Sequence, residues 1–188
     1  MSLVFGYGSL VLKASRPKNI KEAKKASLPG WQREWAYCIN RGAIHINDLT
    51  ISRKSSSTIE GILLDVNENM LHRLDRREDG YREQKVKLSD GTEAITYVGD
   101  KAYHKEANKT CPVWRSYIDA VVLGYYELGG TPSVRKLIET TKSWDIPVID
   151  DKSKPSYLKA ATLTKDQQEL AERLLKQLGV WNKIKFLS

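Results

Sequence analysis

The sequence predicts an α+β fold, a mixed, curled β-sheet or barrel with flanking helices, and three observations carry that expectation. Short apolar runs of strand composition end in glycine-rich turns through the first half of the chain. Two alternating runs flank Asp90-Gly91 as a hairpin would. Beyond Lys101 the apolar spacing lengthens to that of helices. A single domain over residues 1–188 is expected, with its core at 3–128 and a C-terminal helical part at 131–188.

Taken in order, Leu3, Val4 and Phe5 read as a strand running into the turn Gly6-Tyr7-Gly8-Ser9. A basic segment follows with a short helix over residues 20–26, stopped by Pro29-Gly30. Residues 35–39 have strand composition, and the serine-rich residues 52–58 read as a mobile loop. Residues 59–66 form a strand with Ile62, Leu64 and Val66 on one face. Asn67 caps a short helix whose apolar side carries Met70, Leu71 and Leu74. Val86 and Leu88 alternate with lysines, and Ile95 and Tyr97 return the hairpin. Residues 112–128 place Trp114, Tyr117, Ile118, Val121, Val122 and Tyr125 at helical spacing before Gly129-Gly130 stops them. Thr131-Pro132 opens another helix, residues 142–155 form an irregular connection, and Thr164 with Gln167 makes a capping box for the last helix.

Composition excludes several classes. No run approaches the about 18 apolar residues of a membrane span, and no secretion signal is seen. Cys38 and Cys111 are far apart without a CxxC pattern, so they are expected to be free, buried thiols and not a disulfide or zinc site. His45, His72 and His104 form no ligand pair, so no metal is expected, and the compartment expected is the cytoplasm. The formal net charge is +8. Between residues 13 and 33, Lys13, Arg16, Lys18, Lys21, Lys24, Lys25 and Arg33 face one acid, Glu22. Without interleaved aromatics this reads as a solvated helix face, not a nucleic-acid platform.

Two segments carry candidate chemistry. In Phe5-Gly6-Tyr7-Gly8-Ser9-Leu10 the glycines let backbone approach a ligand, and successive N–H groups in a tight turn cradle an anion. The spacing fits neither a P-loop nor a nucleophile elbow, so Ser9 is a poor nucleophile. In the charge run ending Arg76-Arg77-Glu78-Asp79-Gly80-Tyr81, Glu78 falls where a helix gives way to a strand. These segments, in this order and followed by Pro112-Val113-Trp114-Arg115-Ser116-Tyr117-Ile118 with Gly124, resemble the γ-glutamylcyclotransferase superfamily, especially its ChaC-like branch. The resemblance spans residues 4–124.

That resemblance implies conversion of a γ-glutamyl group to 5-oxoproline with release of an amine, without metal or organic cofactor. It implies that the backbone of Tyr7, Gly8, Ser9 and Leu10 holds the α-carboxylate end, that Tyr117 lines the pocket and that Glu78 is the catalytic carboxylate. The partner is then a small anionic γ-glutamyl compound: glutathione, a γ-glutamyl amino acid or a γ-glutamyl amine. Only Asp79 separates Arg77-Glu78 from Gly80-Tyr81, a shorter spacing than in the glutathione-specific branch, and the leaving group stays open. A guanidinium beside Glu78 would weaken it as a base, so Arg76 and Arg77 are expected to point away from the pocket. A monomer or weak homodimer is expected. The rival reading is a lapsed enzyme whose segment 13–33 binds nucleic acid or an acidic partner.

Overall fold

Val4 and Phe5, at most 1% exposed, anchor the central strand of the main sheet. The computed structural model describes residues 1–17, 20, 23–157 and 163–187. Strand β1 (Ser2–Gly6) pairs antiparallel with β3 and parallel with β5, defined below, so its C-terminal end delivers residues 7–10 to one edge of the core. Short 3-10 turns at Ser9–Val11 and Lys13–Ser15 follow.

Strands β2 (Ala23–Asn40) and β3 (His45–Val66) form one long antiparallel ladder, from Ala23 opposite Leu64 to Asn40 opposite His45. Two expectations fail here. Residues 23–26, assigned to a helix, are strand, because pairing with β3 outweighs local preference; residues 18, 19, 21 and 22 lie outside the described residues. The serine-rich residues 52–58 belong to β3 and are not a loop between strands. Pairing moves from Pro29–Thr58 to Trp31–Arg53, so residues 54–57 lie opposite Gly30, whose φ is +78°. Pro29-Gly30 thus marks a bulge, which bends and twists a continuing strand. A second register shift between Trp35 and Tyr37 adds to the curl.

Helix α1 (Glu68–Arg77) starts where expected: the Asn67 side chain accepts from the Met70 N–H at 2.9 Å. Strands β4 (Tyr81–Lys87) and β5 (Glu93–Gly99) form the expected hairpin. Strand β6 (Val113–Trp114) leads into α2 (Arg115–Glu139), which Gly129 and Gly130 interrupt with non-helical backbone, as the sequence indicates. At Gly124 a Cβ would meet the backbone of Leu12, so α2 packs closely on the segment that leaves β1. Strand β7 (Thr141–Lys142) completes the sheet order β4-β5-β1-β3-β2-β7.

The C-terminal part is less purely helical than expected. Strand β8 (Pro147–Ile149) interrupts the connection taken as irregular, α3 (Lys165–Gln177) has its Thr164–Gln167 capping box, and β9 (Lys185–Leu187) ends the chain in a parallel β6-β8-β9 sheet. Among the described residues no helix is long and apolar enough to cross a membrane.

The cysteines correct another expectation. Cys38 and Cys111 are joined in a disulfide, with Cα atoms 6.1 Å apart. The β2–β3 ladder sets Cys38 opposite Asn47, and the Asn47 N–H donates to the Pro112 carbonyl at 2.8 Å, which brings Cys111 alongside. No local spacing signals a bond across 73 residues. The basic segment is likewise not a helix face. Arg33 is fully buried, donating to the carbonyls of Tyr7 (3.2 Å) and Glu60, to Thr140 Oγ1 (2.7 Å) and to the Tyr125 hydroxyl.

Candidate active site

The geometry begins with two anchored carbonyls. The Tyr7 carbonyl accepts from Arg33 Nε at 3.2 Å, on the core side. Because a trans peptide is planar, the Gly8 N–H of the same unit points the opposite way. The Gly8 carbonyl accepts from the Val11 N–H at 3.1 Å, closing the turn. Gly8 also keeps the floor open, since a Cβ there would lie 3.4 Å from the Tyr117 hydroxyl.

Glu78 ends α1. Its N–H donates to the Leu74 carbonyl at 2.8 Å, and its own carbonyl accepts from Tyr81 N–H at 2.9 Å across Gly80, where φ is +88°. The side chain is 16% exposed. Asp75 is turned to Tyr97 instead, accepting from that phenol at 2.6 Å.

These pieces line one pocket: residues 5–10, Asp48, Leu49, Glu78, Tyr81, Tyr97, Tyr117 and Tyr157. Every residue expected at the site, Tyr7, Gly8, Ser9, Leu10, Tyr117 and Glu78, is therefore brought together. Tyr81, Tyr97, Tyr157 and Asp48 join them without having been identified from sequence. Asp48 comes from β3, is 4% exposed and pairs with Arg41 at 2.9 Å. Tyr7 donates to the Tyr97 carbonyl at 2.7 Å, and Tyr81 to the Leu49 carbonyl at 3.0 Å. Tyr157 stacks on Tyr117 with ring centroids 4.4 Å apart.

Burial raises the ionisation of Tyr7, Tyr81, Tyr97, Tyr117 and Tyr157 above a phenol's ordinary value, and the nearby Glu78 carboxylate adds to each shift. All five remain neutral donors at physiological pH. The pocket thus combines phenol donors with two carboxylates.

The expectation for the arginines holds for one of two. Arg76 is exposed. Arg77 turns inward: Nε meets Glu78 Oε1 at 2.9 Å, and Nη2 donates to Ser9 Oγ at 3.0 Å and to Ser15 Oγ at 3.1 Å. It also donates to the Ser15 carbonyl. The cause is the turn at Lys13–Ser15, which offers acceptors at the end of α1 and draws the guanidinium in. Among the described residues no group of three or more His, Cys, Asp or Glu is placed to hold a metal ion.

A family model described as "Gamma-glutamyl cyclotransferase, AIG2-like" matches residues 4–116. No curated protein matches the sequence. A solved structure described as "Gamma-glutamyl cyclotransferase" is 19% identical, covering 92% of this chain and 98% of its own, with a TM-score of 0.54. The human protein loc79017 is 19% identical over 91% of this chain and 98% of its own, with a TM-score of 0.56. YkqA from Bacillus subtilis is 19% identical over 76% of this chain and 56% of its own, with a TM-score of 0.55. These structural likenesses bear on the fold.

Proposed function

This chain belongs to the γ-glutamyl cyclotransferase, AIG2-like family, and from that premise we propose that it cyclises the glutamyl group of a γ-glutamyl compound to 5-oxoproline and releases the amine. The observation that carries the reading is the meeting of the residue 7–10 turn and the Glu78 carboxylate in one pocket walled by neutral phenols. The motifs resemble the ChaC-like branch.

The substrate brings its own nucleophile, and holding it in a near-attack geometry supplies much of the rate. The turn at residues 7–10 meets the α-carboxylate, and Tyr117 lines the same space. Ring closure requires the α-ammonium to lose two protons in all, while the departing nitrogen gains two in becoming an ammonium. Glu78 takes the first proton, the amine attacks the γ-carbonyl carbon, and the carbon–nitrogen bond to the leaving amine breaks as Glu78 returns the proton. The second proton passes from the attacking nitrogen to the leaving amine. Arg77 occupies Glu78 Oε1 and leaves the other oxygen for the substrate ammonium. The reaction is redox-neutral and calls on no organic cofactor.

The test is incubation with glutathione, γ-glutamyl amino acids, γ-glutamyl amines and γ-glutamyl-lysine, reading 5-oxoproline. Formation from at least one is expected, and the preferred amine identifies the substrate. No 5-oxoproline from any of them overturns the reading.

A further inference from the structure

Tyr157 reaches the pocket from the far end of the chain, and its surroundings are more constructed than those of a packing residue. It is 7% exposed and stacks on Tyr117. Its hydroxyl lies 2.9 Å from Ser9 Oγ, and Arg77 Nη2 donates to that same oxygen at 3.0 Å. A guanidinium can only donate. The Ser9–Tyr157 pair holds two hydroxyl protons and uses one between its members, so the other is available to a guest. A cationic donor on Ser9 favours the direction Arg77 to Ser9 to Tyr157, which leaves the phenol proton facing the pocket.

The backbone beneath is clasped as firmly. Asp151, 8% exposed, accepts from the Ser116 N–H at 2.8 Å, the Ser116 hydroxyl at 2.6 Å and the Ser156 N–H at 2.7 Å. Ser116 Oγ in turn accepts from the Tyr157 N–H at 3.2 Å. One carboxylate thus ties together the residues preceding both stacked tyrosines.

We propose that Tyr157 is a further catalytic residue, donating a hydrogen bond to the γ-carbonyl oxygen as negative charge develops there, with Asp151 as its positioning residue. This rests on the cyclotransferase reading above. The turn at residues 7–10 serves the α-carboxylate in that reading, and the other charged groups lining the pocket, Glu78 and Asp48, would repel an oxyanion. Tyr157 is the neutral donor with a cation behind it, and a preorganised donor aimed at developing charge is worth a large part of a barrier.

Tyr157→Phe keeps the ring and removes the donor. On the best γ-glutamyl substrate, kcat should fall about 10²-fold or more with KM little changed. Asp151→Asn should lower kcat about 10-fold, and the double variant should be no slower than Tyr157→Phe alone, because both act through one hydroxyl. Wild-type kcat in Tyr157→Phe, or a loss confined to KM, overturns the proposal and leaves the cyclotransferase reading standing. Additive losses in the double variant overturn the positioning role of Asp151. Should melting curves show Tyr157→Phe unfolded under assay conditions, Ser9→Ala takes its place: a roughly 10-fold lower kcat is expected, and an unchanged kcat overturns the proposal. A wild-type protein inert on every γ-glutamyl compound overturns both readings together.

Discussion

On one side of the pocket, Glu78 is held by groups close in sequence: its N–H reaches back to Leu74, its carboxylate meets Arg77 and its carbonyl meets Tyr81. On the other side, Tyr157 is held by Ser9, 148 residues away, and by Ser116, 41 residues away. The first side is mostly a local junction, with Arg77 held in place by the Lys13–Ser15 turn. The second exists only when β1, α2 and the segment around Asp151 are all in place. In the proposed reaction proton transfer falls to the local side, and the donor geometry depends on global folding.

The largest effect should come from the local side. Glu78→Gln nearly preserves volume and removes the proton acceptor, so kcat should fall about 10²–10⁴-fold with KM roughly kept. Glu68 and Glu83 are exposed, and glutamine at either should leave turnover unchanged. A Glu78→Gln protein that melts like the wild type and turns over at its rate removes Glu78 from the mechanism.

Arg33 comes next, because it anchors the Tyr7 carbonyl at the start of the residue 7–10 turn. Arg33→Met leaves the carbonyls of Tyr7 and Glu60, and Thr140 Oγ1, without a buried cationic donor. Tyr125 still donates to these carbonyls, and leaving a buried neutral acceptor unsatisfied costs about 1–3 kcal/mol, to be read by urea denaturation. A loss below about 1 kcal/mol would mean that water replaces the guanidinium.

How far the sequence could be read follows the same division. Glu78 and Tyr117 entered through the resemblance to the γ-glutamylcyclotransferase superfamily, whereas the residue 7–10 turn was legible because the turn chemistry of glycine is a local fact. The Asn67 cap and the Thr164–Gln167 box were legible for that reason. Arg33 was not, since its charge placed it with the lysines around it, while strand pairing turned it into the core beside Tyr125. Asp48 and Tyr157 were invisible because nothing near them in sequence announces a pocket. The disulfide was missed on the same ground, and its presence removes the support that the cysteines gave to a reducing compartment.

A smaller effect tests the distant side through pH. Burial pushes the Asp119 carboxyl up to about 7, against the opposing pull of Arg115; Asp151 adds to the rise and Lys152 works against it. Asp150 and Glu172 share Arg115 with it. The unfolded carboxyl ionises near 3.8 and the folded one near 7, so the folded state binds more protons throughout that window. Stability from this group therefore falls as pH rises across it. At about 1.4 kcal/mol per unit, tempered by relaxation around a buried charge, a loss of about 2 kcal/mol is expected. Glu172 works oppositely: the Lys176 hydrogen bond, against some burial and aided by Arg115, holds it down to about 2. Its contribution is present above about 4.5 and lost as pH falls towards 2. Asp119→Asn should abolish the decline between pH 4 and 7 while leaving the acid-side loss. An unchanged pH profile in urea melts would rule out Asp119 as its source.

The smallest effect separates support from chemistry on the distant side. Thr164 Oγ1 accepts from the Gln167 N–H at 3.3 Å, and the Gln167 side chain accepts from the Thr164 N–H at 2.9 Å, so each caps the other at the start of α3. Helix α3 packs Ala171, Leu174 and Leu175 into the core and touches α2, which carries Ser116 and Tyr117. Thr164→Ala removes one half of the box and should cost about 1 kcal/mol. If α3 supports the pocket only as packing, that loss appears in denaturation while kcat stays at the wild-type value, because the Asp151 clasp holds Ser116 and Tyr157 without it. A fall in kcat beyond the unfolded fraction would show that the clasp is not independent of the helix, and the distant side would then include α3.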